Sequence, residues 1–119
     1  MVVFKDPFCG CCEEYTKYLK GLGARVDVSN VPSIESKLRE FQVPESLWSC
    51  HITLVGGYIV VGHVPAEAIE KLLRDKPPIK GISLPGMPSG SPGMPGYKMG
   101  PFTIYSFNNK GGVDVYMVI

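Results

Sequence analysis

The chain has 119 residues, 45% of them hydrophobic and 19% charged, with a formal net charge of +1 from 12 basic and 11 acidic residues. Those figures suit one ordinary globular domain with its own core and leave no room for two. With no basic run and no apolar stretch long enough to span a bilayer, they exclude nucleic acid and membrane insertion from the expected chemistry.

Met1 to Phe4 reads as a short apolar strand, closed by Asp6 and Pro7. Because a strand already opens the chain, no signal peptide is expected ahead of it. The expectation is therefore a cytoplasmic protein, or a periplasmic one whose leader has been removed. The cysteine-rich segment then opens a helix that places Tyr15, Leu19 and Leu22 on one face, with Gly21 and Gly23 as its stop. Ala24 to Val28 follows as a second strand. Ser33 is the expected N-cap of a helix whose face is Ile34, Leu38 and Phe41, and Pro44 ends it. Ile52 to Val55 and Tyr58 to Val61, joined by Gly56-Gly57, form a strong hairpin signal. Pro65 starts a third helix with Ile69, Leu72 and Leu73 as its buried stripe, and Pro77-Pro78 closes it.

From Pro77 to Pro101 the composition shifts sharply to proline, glycine and methionine, and Pro85-Gly86-Met87-Pro88 recurs as Pro92-Gly93-Met94-Pro95. The glycines do not fall at every third position, which excludes a collagen-like repeat. The segment is expected as a long loop, of the kind that is either functional or mobile. Phe102 to Phe107 and Val113 to Ile119, linked through Asn108 to Gly112, read as a final hairpin. The expected organisation is one domain over residues 1–119, with a core at 1–76, the Pro/Gly/Met-rich loop at 77–101 and the C-terminal hairpin at 102–119.

Chemistry concentrates in four cysteines, three of them crowded at Cys9, Cys11 and Cys12 and the fourth, Cys50, remote. A disulfide-stapled scaffold spreads its cysteines to close loops, so this clustering reads as redox or metal chemistry. Cys9 and Cys12, three apart at a helix start, share one face. Free backbone N–H groups there favour the thiolate, which is both the nucleophile of disulfide exchange and the metal ligand. Cys9 and Cys12 are the redox candidates, and no pattern marks an organic cofactor or another catalytic group. A dithiol has no use for Cys11, whereas a polynuclear thiolate cluster would use its sulfur as a bridge.

Cys50 lies just before the strand at Ile52. If that strand runs antiparallel to the first, its beginning meets the end of Met1 to Phe4 and four sulfurs converge. Soft thiolates select Cu(I), zinc or iron–sulfur clusters. The common iron–sulfur spacings are absent. Tetrahedral zinc is the lesser alternative, because the adjacent side chains of Cys11 and Cys12 are expected to diverge. His51 stands evenly between ligand or ligand-orienting group and bystander, since alternation along a strand would turn it away from Cys50. His63, before a helix start, reads more readily as a turn histidine bonded to backbone. Met87 and Met94 offer thioethers to Cu(I) but equally fit as flexible hydrophobes plugging the loop onto the core, and Met99 fits that second role. Trp48 and Tyr58 read as packing residues.

The element order, with an active-site-like CxxC after the first strand, matches the thioredoxin fold. Cys9-Gly10-Cys11-Cys12, Ser49-Cys50-His51, Gly56-Gly57-Tyr58, Gly62-His63-Val64-Pro65 and Pro85-Gly86-Met87-Pro88 through Gly90-Ser91-Pro92-Gly93-Met94 run in order over nearly the whole chain. Together they resemble the thioredoxin-like metal-binding family that includes the CopG copper and silver resistance proteins. The resemblance implies an α/β thioredoxin-like fold. It also implies copper, as Cu(I), held by Cys9, Cys11, Cys12 and Cys50 in a redox-active multinuclear site. Copper ions would be the partner, with a copper-donor or acceptor protein in a handling or resistance pathway. The Cys50-His51 region stands where thioredoxins carry the proline that faces their dithiol and keeps metal away. That replacement favours metal binding over the alternative of a thiol–disulfide oxidoreductase. A purely structural zinc site is disfavoured by a core of three helices and several strands that needs no metal.

Overall fold

Short β-branched runs bounded by glycine mark the strands His51–Val55 and Tyr58–Gly62 in the computed structural model, which describes residues 1–119. The chain runs β1 (Val2–Lys5), α1 (Gly10–Gly21), β2 (Asp27–Asn30), α2 (Ile34–Glu40), a 3-10 turn (Glu45–Leu47), β3 (His51–Val55), β4 (Tyr58–Gly62), α3 (Ala66–Asp75), β5 (Gly81–Leu84), β6 (Thr103–Phe107) and β7 (Val113–Val118). All seven strands join one sheet in the order β2-β1-β3-β4-β5-β6-β7, and the protein is mixed α/β.

Local signals account for most of these boundaries. Gly56 and Gly57 both hold positive φ, at 57° and 84°, which the tight turn between β3 and β4 demands and only glycine adopts freely. The Ser33 side chain accepts a hydrogen bond from the Ser36 N–H and caps α2 as expected. The C-terminal hairpin also forms, β6 pairing antiparallel with β7.

The sheet is covered on both faces. On one, Val3, Val60, Ile82 and Ile104 pack under Tyr15 and Leu19 of α1 and Ala68, Ile69 and Leu72 of α3. On the other, Ile52, Ile59, Val61 and Phe107 pack with Leu38 of α2 and Leu47 of the 3-10 turn. Tyr15 is fully buried and its hydroxyl donates to the Val64 carbonyl at 2.6 Å, tying α1 to the segment before α3.

Four expectations are corrected. The second strand is not Ala24 to Val28 but Asp27–Asn30, because parallel pairing with β1 sets its register, Val2 opposite Asp27, while Val26 packs on the core from the preceding turn. The 77–101 segment is not all loop: β5 lies inside it, fully buried, parallel to β4 and antiparallel to β6. It therefore belongs to the centre of the sheet, and the C-terminal hairpin extends that sheet through it. Leu22 and Leu73, assigned to buried stripes, are exposed, Leu22 at 57%, because α1 ends at Gly21 and the α3 contact is carried by Ala68, Ile69 and Leu72. Met99 is 87% exposed and plugs nothing.

Candidate metal centre

The centre forms where the antiparallel pairing of β1 and β3 sets Lys5 opposite His51. That register brings Cys50, one residue before β3, to the end of β1, where the chain turns into α1. Cys9 is the N-cap of α1, held by its own N–H donating to the Asp6 carbonyl and by its carbonyl accepting from the Glu13 N–H. Cys11 and Cys12 fall in the first helical turn. All four sulfurs lie within 4.8 Å of one another. Cys11 Sγ is 3.4 Å from Cys9 Sγ and 3.9 Å from Cys50 Sγ. The expected divergence of Cys11 and Cys12 does not keep either sulfur out of the cluster: both lie within 4.8 Å of the sulfurs of Cys9 and Cys50. Cys9 and Cys12 are joined in a disulfide, Cys9 half-exposed and Cys12 buried, while Cys11 and Cys50 are free.

His51 and His63 meet the same cysteine. Cys50 Sγ is 3.2 Å from His51 Nδ1 and 3.2 Å from His63 Nε2. Alternation does not turn His51 away, since Cys50 precedes the strand and is free to lean back toward the ring. His63 is not a simple turn histidine: both imidazoles are fully buried against the Tyr15 ring, His63 edge to face with Tyr15 and with His51, and His51 tilted at 40° to Tyr15. The signal that marked His63 was the Gly62-His63-Val64-Pro65 motif; its position before a helix concealed that β4 delivers it beside β3. Burial, helped by the neighbouring ring of His63, lowers the His51 pKa to about 3, and burial also lowers that of His63. Burial foremost, then Cys11, pushes the Cys50 thiol up to about 12. Burial thus holds the Cys50 thiol and both imidazoles in their neutral forms, and neutral imidazole is the form that ligates.

The Pro/Gly/Met-rich segment crosses this centre as a strap. Ser49 Oγ donates to the Gly86 carbonyl at 2.9 Å, and His63 Nδ1 donates to the Pro92 carbonyl at 2.6 Å. Between these ties, Met87 Sδ comes to 3.8 Å from Cys11 Sγ. Met94, in the same local sequence, makes no such contact and lines a shallow surface depression with Glu14, Lys17 and Tyr18. Gly93 lets the strap touch α1: its φ is +84°, and a Cβ there would stand 2.7 Å from the Tyr15 amide nitrogen. Gly93→Ala is therefore expected to cost at least about 2 kcal/mol, more than the roughly 1–2 kcal/mol that a left-handed alanine costs by itself. Gly86→Ala, also at positive φ but with nothing within 4 Å, should show only the smaller cost. Denaturant unfolding of the two variants checks this, and equal losses would count against the close approach.

Four clustered cysteine sulfurs, all of them available as thiolates once the Cys9–Cys12 disulfide is reduced, with a thioether and two neutral imidazoles make a donor set that fits a soft or borderline metal ion. Fold and site together define a mixed α/β protein with a cysteine cluster able to hold metal. No curated protein sequence matches the chain. The family described as "Protein of unknown function, DUF411" matches residues 47–94, a stretch that includes Cys50, His51, His63 and Met87. Two solved structures are similar over 99% of this chain at 34% identity. "Copper resistance protein copG- Form 1" has a TM-score of 0.89 with 94% of its length covered, and "Copper resistance protein copG- Form 2" a TM-score of 0.90 with 95% covered. The chain belongs to this family of CopG copper resistance proteins. No helix is long and apolar enough to cross a membrane.

Proposed function

We propose that this protein binds copper as Cu(I) in a thiolate centre formed by Cys9, Cys11, Cys12 and Cys50, and that it acts in copper handling or resistance. The observation that carries this reading is the convergence of four Sγ atoms, from the start of α1 and from the residue before β3, to within 4.8 Å. Thiolate is the preferred donor of Cu(I), and sulfur shared between ions supports a multinuclear site. Cys11, which lies between Cys9 and Cys50, is the natural bridge. The proposed set takes Met87 as a thioether ligand, its sulfur 3.8 Å from Cys11 Sγ, and His51, 3.2 Å from Cys50 Sγ, and leaves out Met94, which lies beside Glu14, Lys17 and Tyr18. We read the β1-α1-β2-α2-β3-β4-α3 portion as thioredoxin-like, extended within one domain by β5 and the C-terminal hairpin. A copper-donor or acceptor protein would approach at half-exposed Cys9 and Cys11.

Reduced protein titrated anaerobically with Cu(I) should saturate above one ion per chain, followed by thiolate-to-copper charge-transfer absorption, and Cys11→Ser should lower that number. Saturation at one ion, unchanged in Cys11→Ser, would end the multinuclear reading.

The disulfide favours a second reading, thiol–disulfide exchange through Cys9 and Cys12. A half-exposed first cysteine paired with a buried second one is the arrangement that lets one sulfur be attacked while the other resolves. Metal-free protein that reduces no disulfide substrate would remove it. The two readings join if the two electrons released when the pair closes to a disulfide reduce two Cu(II) ions to Cu(I), the redox-active form of the proposal.

A further inference from the structure

We infer that Lys5 is a positioning residue of the Cu(I) centre: its buried ammonium anchors the turn that carries Cys9 and supplies the interior positive charge that a copper–thiolate group needs. The inference rests on the proposed Cu(I) centre and adds to it a residue that binds no metal.

Of 12 basic and 11 acidic residues, Lys5 alone is buried, at 3% exposure. Burying an ammonium is costly unless it is paired and hydrogen-bonded. Its one ionic partner is incomplete. Glu13 Oε1 stands 3.7 Å from Lys5 Nζ, beyond hydrogen-bond length, and the Glu13 side chain is 59% exposed. A carboxylate so placed is screened by water and offsets only part of the buried charge. The remainder acts on the protein interior.

Geometry sets that charge beside the cysteines. Lys5 closes β1, and the register of β1 with β3 places it directly opposite His51, the residue after Cys50. Opposed residues of an antiparallel pair share one face of the sheet. It is the face that α1 covers, since Val3, two residues earlier, packs under Tyr15 and Leu19. Lys5 Nζ donates to the Asp6 carbonyl at 3.0 Å, and the Cys9 N–H donates to that same carbonyl at 3.2 Å. One acceptor thus joins the ammonium to the N-cap of α1. The contact with Glu13, the residue after Cys12, holds the first turn of the helix from its other side.

The reduced centre has a use for this charge. A Cu(I) ion bound by two or three thiolates leaves the group with surplus negative charge, and Cys12 is fully buried. Such a group is unfavourable in a medium of low dielectric unless a cation lies near. The N-terminus of α1 contributes partial positive charge. Lys5 is the full cation buried with it, whereas Lys17 and Lys20, further along α1, are exposed and screened by solvent.

The test titrates the reduced full chain anaerobically with Cu(I) against a competing chelator. Lys5→Gln, which removes the charge and keeps an N–H donor, should weaken Cu(I) binding roughly 10–100-fold, the range for a group that acts through a ligand. Glu13→Gln, isosteric and exposed, removes the negative charge that offsets Lys5 and should strengthen binding by about two- to fivefold, the scale of a solvent-screened charge. Lys17→Gln, which deletes an exposed charge from the same helix, should change it by less than about twofold. A purely structural role gives another pattern, because loosening the turn through either partner of the Lys5–Glu13 contact would weaken binding in both variants. Opposite signs are therefore the signature of charge. Melting curves establish that each variant is folded. Should Lys5→Gln fail to fold, Glu13→Gln still decides: unchanged or weaker binding there overturns the inference, as does wild-type affinity in folded Lys5→Gln. Wild-type protein that takes up no Cu(I) ends the copper reading and this inference with it, whereas normal uptake by the wild type with indifferent variants removes Lys5 alone.

Discussion

Cys50→Ser is expected to lower the Cu(I) affinity of the reduced protein by more than about 100-fold, with little change in its unfolding midpoint. Cys50 is the only cysteine of the cluster that does not come from the start of α1, and it is the donor common to the four-cysteine group and the imidazole group. Serine keeps the shape but replaces a soft thiolate by a hard hydroxyl that stays protonated, a poor ligand for Cu(I). Losing a group that merely orients a ligand costs roughly 10–100-fold in metal affinity, and losing the ligand itself costs more. The fold should tolerate the change because Cys50 is half-exposed and precedes β3 instead of filling the core. Competition against a Cu(I) chelator measures the affinity, and thermal unfolding measures the midpoint. An unaltered affinity would take Cys50 out of the centre.

The second large effect is on the potential of the Cys9–Cys12 pair. Copper held by these two sulfurs as thiolates requires the reduced pair, since the disulfide has given up the electrons that make them ligands. Anything that binds one state alone stabilises it, by ~2.7 kcal/mol when the free ligand stands at one hundred times its dissociation constant. For a two-electron couple that is a rise of about 60 mV in the reduction potential, toward easier reduction. Equilibrating the protein against poised dithiol buffers, with and without buffered Cu(I), reads the shift. A midpoint that ignores Cu(I) would mean that Cys9 and Cys12 do not hold copper, leaving disulfide exchange as the use of the pair. The linkage is reciprocal: oxidising the pair must weaken the copper it holds by the same factor. In the disulfide-bonded form, only Cys11, Cys50, Met87 and the two histidines remain as donors.

Several features followed from local chemistry alone. Gly56-Gly57 between two β-branched runs determined a tight hairpin, Ser33 determined a helix start, and the amphipathic spacing of Ile69 and Leu72 determined a helix that covers the sheet. The crowding of Cys9, Cys11 and Cys12 marked the chemistry, and the assumption of an antiparallel β1/β3 pair was enough to bring Cys50 to them. These are short-range signals, encoded within one or two turns of chain. What only the tertiary structure decided was long-range. Gly81–Leu84, four residues between Pro78 and Pro85 and fully buried, shows neither alternation nor length, so its place beside β4 exists only through its neighbours. Met87 and Met94 have the same flanking residues but opposite surroundings, because Ser49 and Gly93 fix where the strap lies. His63 became part of the centre for the same reason: pairing of β4 with β3 carried it to Cys50 across a sequence separation that no motif spacing expresses.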